Sequence, residues 1–264
     1  LIPGVGKEVN GSMRWVQLGP FALQASEPVK LCVIAYLAGY MVRHGETVQT
    51  NFAGFIIPIG VLTFISGLLL LEPDFGASVV LFGTELGMLF MGGVPLTRFF
   101  AWVSVAVSAL ITLAVLSPYR MQRLMSFVDP WKDPYDSGFQ LTQALIAFGR
   151  GDWFGVGLGE GLMKMGYLPD VHTDFIYSVV VEEMGLLGGI VIISLLFGLA
   201  FRCFYIAKQA LIKNQYFGFF AAYGVAILLG LHTFINVGVA TGLLPTKGLT
   251  LPFISYGGTN LLVM

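Results

Sequence analysis

The sequence predicts an all-α fold, a polytopic bundle of transmembrane helices, and three observations predict it. The chain of 264 residues is 56% hydrophobic and only 11% charged, where a soluble domain carries about a quarter charged residues. Its mean hydropathy is +0.82. The apolar residues fall into runs long enough to cross a bilayer, which takes roughly 20 residues. So much apolar surface cannot be covered in water, and lipid is its natural solvent. The formal net charge of -1 offers no bulk cationic surface, so nucleic acid is not an expected partner. Cys32 and Cys203 sit in or beside apolar runs and read as buried free thiols.

The runs are residues 28–42, 52–71, 75–92, 99–116, 175–201 and 216–240, six full spans, with a seventh that starts near 258 and is truncated. The first is short unless it begins at Ser26, and Pro28 suits a first helical turn, where its missing N–H costs little. The opening segment, LIPGVGKEVNGS, reads as a loop. With an apolar helix cut at the other end, the chain reads as a fragment of a longer membrane protein, one transmembrane domain over 1–264.

Alternation of spans sorts the connections into two sides. Residues 43–51, 93–98 and 202–215 carry Arg43, Arg98, Arg202, Lys208 and Lys213 against Glu46 alone. Short basic loops favour the cytoplasm, so this side is expected inside. The outer side then receives 1–27, 72–74, 117–174 and 241–257. The long insertion 117–174 is rich in aromatic residues and reads as ordered rather than as a linker. Within it, 140–150 suits a helix with Leu141, Leu145 and Phe148 on one face. That helix either lies along the membrane surface or packs on the span ends.

The strongest local signal is His172-Thr173-Asp174, just before the fifth span. Two readings of Asp174 stand. One is a helix N-cap, which accepts free N–H groups. The other is a carboxylate base at the membrane boundary, able to take a proton from a sugar hydroxyl within hydrogen-bond reach. Arg14, Arg120, Arg123, Lys247, Arg150 and Lys164 share the expected outer face. Arg and Lys there serve either a diphosphate-linked lipid or headgroup anchoring. Charges inside spans are costly in lipid and need partners. Glu27 and Lys30 are spaced for pairing on one helix face. Glu85 lies mid-span, and Glu182 and Glu183 lie about two turns beyond Asp174. His232 and Asn236, at i and i+4, suit interhelical hydrogen bonding. The Gly155–Gly161 run lacks the spacing of a nucleotide loop and reads as a flexible turn. The three dispersed histidines form no metal-ligand pattern, so no metal site is expected.

Several stretches together resemble the SEDS family (shape, elongation, division and sporulation). They are Asn10-Gly-Ser-Met-Arg-Trp-Val-Gln-Leu-Gly-Pro20, Gln24-Ala-Ser-Glu-Pro-Val-Lys30, Glu72-Pro-Asp-Phe-Gly76 and Gly138-Phe-Gln-Leu-Thr-Gln143. Tyr167-Leu-Pro-Asp-Val-His-Thr-Asp-Phe-Ile176, Glu182-Glu183 and Pro252-Phe-Ile-Ser-Tyr-Gly-Gly258 complete the series in order. Leu244-Pro-Thr-Lys-Gly-Leu-Thr-Leu-Pro252 is closer to the division branch than to the elongation branch. Glu72, Asp170 and Val171 depart mildly from the family pattern, at positions where Gln, Glu and Ala are frequent.

The resemblance implies a ten-span fold, of which this chain holds spans four to nine and the start of ten. It implies an inverting peptidoglycan glycosyltransferase that polymerises lipid II at the outer face of the bacterial cytoplasmic membrane, at the septum. Asp174 falls on the family's essential aspartate and Lys247 on a functionally important lysine. Arg120, Arg123, Lys247, Arg14, His172, Gln140 and Gln143 are the expected substrate contacts, with Glu27, Lys30, Glu182 and Glu183 in support. A divalent cation, Mg or Mn, is compatible with this chemistry, though no carboxylate cluster demands one. Expected partners besides lipid II and membrane lipids are a class B penicillin-binding protein, a transpeptidase with one membrane helix, and other division proteins. Two rival readings are a lipid II flippase using Glu85, Glu182, Glu183 and His232, and a non-catalytic division scaffold.

Overall fold

The computed structural model describes residues 6–9, 12–18, 21–72, 74–115, 127–136, 138–166, 168, 172–245 and 248–264. It begins with three antiparallel strands, β1 (Gly6–Val9), β2 (Ser12–Leu18) and β3 (Phe21–Gln24). The helices that follow are α1 (Ser26–Thr50), α2 (Phe52–Leu71), α3 (Phe75–Met91), α4 (Leu96–Val115), α5 (Phe139–Gly151), α6 (Ile176–Ile212), α7 (Tyr216–Ala240) and α8 (Gly258–Val263). Two compact units emerge. The first comprises Leu1–Val103, Gly198–Leu231 and Gly258–Met264, and the second Ser104–Phe197 and His232–Gly257.

Among the described residues three helices, α2, α6 and α7, are long and apolar enough to cross a membrane; α3 and the Leu96–Ala109 part of α4 are shorter apolar helices. Exposed apolar side chains such as Phe52, Ile56, Phe64 and Leu71 on α2, and Val191, Leu195 and Phe201 on α6, would be a liability in water and are solvated by lipid. The chain is thus a multi-pass membrane protein, as its composition predicts. α1 has the length to span, and it begins at Ser26, so the first run is not short. It continues past 42 to Thr50 with non-helical geometry at His44. α6 continues past 201 to Ile212, which absorbs most of the loop expected at 202–215.

The opening segment corrects the sequence reading, because it is a β-meander rather than a loop. Val9 pairs with Ser12, and Leu18 with Phe21. The signal was present: Asn10-Gly11 separates two short strands, and Asn-Gly favours the tight turns of hairpins. In the first unit this sheet is tied to helices. The Gln24 N–H donates to Thr259 Oγ1 at 3.0 Å, and Gln24 Nε2 donates to Asp74 Oδ2 at 3.2 Å. Asp74 also caps α3 by accepting from the Ala77 N–H. Tyr40, Met41, Val48, Phe55, Ile59, Leu89 and Val94 form an apolar core between α1, α2 and α3. Cys32 and Cys203 are free thiols, but Cys32 is exposed on α1 rather than buried.

The second unit is organised by a break in α6. At 37 residues, α6 would be about 55 Å long if regular, far more than a bilayer needs. Gly185 interrupts it with φ +73°. In an unbroken helix the Leu186 N–H would bond Glu182 C=O, and the Leu187 N–H would bond Glu183 C=O. The break frees all four groups, and the segment 152–157 takes up every one. Val156 N–H donates to Glu182 O at 3.0 Å and Gly157 N–H to Glu183 O at 3.1 Å. Leu186 N–H donates to Asp152 O at 2.8 Å and Leu187 N–H to Trp153 O at 3.3 Å. Irregular backbone beside lipid is tolerated only where protein supplies its partners.

The Gly155–Gly161 run is therefore pinned, not a flexible turn. The two backbones meet so closely that a Cβ on Gly155 would strike the Glu183 carbonyl, and one on Gly185 would strike that of Trp153. α5 leads into this insert and packs on α6, with Phe148 against Tyr177 at a ring separation of 5.8 Å. Leu141 is fully buried, while Leu145 and Phe148 are half-buried. Of the two expectations for the 140–150 helix, packing on the span end is the observed one.

Gly155→Ala and Gly185→Ala should each destabilise the protein by at least about 1–3 kcal/mol, the cost of left-handed strain alone. Gly149→Ala, on a face of α5 with open space around it, should be neutral or stabilising by up to about 1 kcal/mol. Thermal unfolding of the detergent-solubilised protein checks the contrast; equal melting temperatures across the three would contradict the interlock.

Candidate active site

Asp174 is half-buried and stands just before the first turn of α6, where the Ser178 N–H bonds the Phe175 carbonyl. The backbone around it is clamped carbonyl by carbonyl. His172 C=O accepts from the Tyr256 N–H at 2.8 Å. Thr173 C=O accepts from Ser255 Oγ at 2.6 Å. Asp174 C=O accepts from Asn236 Nδ2 at 3.0 Å. Three successive peptide groups at a helix entrance thus have their oxygens satisfied by one loop, 248–257, and by α7.

The same loop is held to α7 by two side chains. Asn236 Nδ2 also donates to Leu249 O at 2.6 Å, and His232 Nδ1 lies 3.4 Å from Thr250 O. Both residues are buried. Asn236 thereby links α7 both to the entrance of α6 and to the loop. The carboxylate of Asp174 faces Gly248: a Cβ on that glycine would lie 3.1 Å from Asp174 Oδ2. A glycine at 248 thus lets the loop backbone come up against the carboxylate.

Glu182 and Glu183 serve a different purpose from Asp174. Glu182 is fully buried. Its carboxylate accepts from the Leu162 and Met163 N–H groups at 3.1 and 3.2 Å and pairs with Arg150 Nε at 3.1 Å. Glu183 pairs with Lys164 Nζ at 2.8 Å and accepts from the Gly159 N–H at 3.0 Å. These acids anchor the insert that fills the α6 break. Arg150 and Lys164, both candidates for phosphate contact, are engaged by these acids.

The other expected site residues are distributed unevenly. His172 is exposed beside Asp174, and Gln140 and Gln143 are half-buried on α5. Glu27 and Lys30 pair at 2.8 Å as their spacing suggests, both buried in the first unit. Glu85 is buried there too, and its Oε1 has no hydrogen-bond partner among the described residues. Arg14 lies on β2, with its side chain outside the described set. Arg120, Arg123 and Lys247 lie outside the described residues. Among the described residues no group of three or more His, Cys, Asp or Glu side chains converges to hold a metal.

This fold and site define a multi-pass membrane protein that presents a carboxylate from a backbone clamp at the entrance of a span. The chain belongs to the FtsW/RodA/SpoVE family of cell cycle proteins, whose family model matches residues 1–264. It is 53% identical to a probable peptidoglycan glycosyltransferase FtsW of Marinomonas mediterranea, covering 100% of this chain and 65% of that relative. A relative of the same description from Legionella pneumophila is 54% identical, covering 100% of this chain and 67% of its own length. The chain therefore spans about two thirds of the length of these curated relatives. Among solved structures, a chain from a peptidoglycan synthase complex described as coordinating polymerisation and crosslinking superposes with a TM-score of 0.79. It is 29% identical, with 98% of this chain and 72% of that one covered. The rod shape determining protein RodA of Thermus thermophilus gives a TM-score of 0.67 at 27% identity, covering 98% of this chain and 68% of that chain.

Glu182→Ala should cost about 2–3 kcal/mol, because it strands two loop N–H groups, one of them buried. Arg150 can turn to water and adds little to that figure. Glu183→Ala should cost less, since its partner Lys164 is more exposed than Glu182's carboxylate site. Chemical or thermal denaturation of the two variants side by side tests the order; a larger effect at Glu183 would refute it.

Proposed function

We propose that this chain is the catalytic part of a peptidoglycan glycosyltransferase that polymerises lipid II at the outer face of the cytoplasmic membrane. The observation that carries the proposal is Asp174: a half-buried carboxylate at a span entrance, braced through its own backbone carbonyl by Asn236. The names of relatives more than half identical to the chain support the same reading.

The chemistry follows from a single base. The Asp174 carboxylate accepts the proton of an acceptor sugar hydroxyl as that oxygen bonds to the anomeric carbon of the donor. The bond from that carbon to the polyprenyl diphosphate breaks on the opposite face, so the anomeric configuration inverts. Both bonding electrons leave with the diphosphate, whose growing negative charge is the place where cations contribute most. Arg120, Arg123 and Lys247 take that role in this proposal, with Arg14, His172, Gln140 and Gln143 contacting the glycan or diphosphate. Glu27–Lys30, paired within α1, and the two acids of the α6 break are supporting residues in this reading. The positively charged short loops would face the cytoplasm, which puts Asp174 on the outer side. The partner of this reading is a class B penicillin-binding protein, a transpeptidase that crosslinks the strands, within a division assembly at the septum. The synthase complex among the structural relatives supports such a pairing.

Labelled lipid II incubated with the full-length protein and its transpeptidase partner should yield glycan polymer. Asp174→Ala and Asp174→Asn should lower that yield by about 100-fold or more, the usual contribution of a positioned base, while the protein stays folded and membrane-inserted. Full activity in both folded variants would remove Asp174 from the mechanism. Translocation of lipid II across liposomes without polymer would instead identify a transporter.

A further inference from the structure

The polymerase reading assigns a task to Asp174 but none to the residues that hold it, and two of the side chains in the clamp, Asn236 and Ser255, are buried and each tie it to the loop 248–257 as well. We propose that Asn236 and Ser255 are positioning residues for Asp174: together they set the direction of its carboxylate and couple it to the loop 248–257. This inference rests on the polymerase reading, and it concerns residues that touch the backbone of the base rather than the substrate.

The stereochemistry of Asn236 leaves little freedom. Its amide nitrogen faces two carbonyl oxygens, Asp174 O at 3.0 Å and Leu249 O at 2.6 Å. An oxygen in that place would set three acceptors together, so the donor must be where it is. With two N–H bonds from one planar group, Asn236 fixes the distance between the Asp174 backbone and the loop strand that begins at Gly248. Ser255 completes the constraint. Its hydroxyl donates to Thr173 O at 2.6 Å and accepts from the Leu251 N–H at 2.6 Å, so one oxygen ties the corner of the loop to the residue before the base. Asn236 and Ser255 are each 1% exposed, and water cannot replace either bond. The peptide plane between Thr173 and Asp174, and the one after it, are both held; Asp174 can then move only through its own side-chain torsions. Gly248 lies against the carboxylate as it stands, and a Cβ there would come within 3.1 Å of Oδ2.

Such a device predicts a rate effect rather than a binding effect. In the full-length protein, Asn236→Ala, Asn236→Asp and Ser255→Ala should lower kcat for lipid II polymerisation about tenfold or more, the size of one lost buried hydrogen bond. KM should stay within about twofold, as expected for an interaction used only in the reacting geometry. The acidic limb of the pH–rate profile should move in the same variants, because the base titrates in altered surroundings. Ser255→Thr keeps the hydroxyl and should retain the rate. Gly248→Ala has no backbone strain and should lower kcat without lowering the melting temperature. Thr241→Ala, which removes only local bonds to the Val237 and Gly238 carbonyls at the end of α7, should behave as the parent does.

A purely structural role would appear as a lower melting temperature with unchanged kcat per folded molecule and an unchanged pH profile, and that result overturns the proposal. If Asn236→Ala does not accumulate, the contrast between Ser255→Ala and Ser255→Thr decides, and equal rates in that pair overturn it. The two readings fail separately. An active Asp174→Asn variant removes the base itself, whereas an inactive Asp174→Asn beside fully active Asn236 and Ser255 variants removes only the positioning.

Discussion

The demand that every backbone N–H and C=O at membrane depth find a partner within the protein governs this structure. A regular helix meets the demand by itself. Each departure from regular helix must be met by another part of the chain, and an unmet amide costs several kcal/mol in lipid. The two irregular points of the second unit obey the same rule. At Gly185 the freed groups of α6 are taken by 152–157. Before Ile176 the carbonyls of 172–174 are taken by Tyr256, Ser255 and Asn236. The segments 152–157 and 248–257 are held by this constraint more than by their own composition.

Both features bear on the same helix. The stretch Ile176–Met184 lies between the break and the clamp, with Asp174 at one end and the Glu182–Glu183 pair at the other. The acids of that pair do not join the base. They bind loop amides and the cations Arg150 and Lys164, and so hold the insert in the break. Burial of Glu182 is sustainable because its two oxygens have three donors between them; an ion pair alone would not offset the loss of water. Charge in this region therefore divides: Glu182 and Glu183 hold the insert in the break, while Asp174 stands at the span entrance with its carboxylate against Gly248.

Parts of this arrangement were legible in the sequence, and particular residues show where legibility stopped. Apolar runs located the spans to within a few residues at α2 and α7, because hydrophobicity over a window is a local property. Glu27 and Lys30 could be paired on paper, since three residues on a helix fix their proximity. The opening stretch LIPGVGKEVNGS reads as a loop, yet Gly6–Val9 within it is a strand paired with β2; Asn10-Gly11 is the hairpin signal in that stretch. The glycine run at 155–161 was taken for a flexible turn. Its rigidity depends on Glu182, Glu183 and Gly185, and nothing in the run itself announces them. Asn236 and His232 read as hydrogen-bonding residues from their spacing on one helix, but which carbonyls they meet, Asp174, Leu249 and Thr250, is not written there.

The sequence by itself determined the solvent of this protein, the number and order of its apolar segments, its family, and the candidate acid at a span entrance. These follow from composition and from motifs in which neighbours in the chain are neighbours in space. The tertiary structure alone decided what surrounds that acid. Asn236 reaches Asp174 across 62 residues of chain, and Ser255 reaches Thr173 across 82. Bonds of that range have no local signature, because which carbonyl a buried donor meets depends on how distant helices pack, not on the residues beside it.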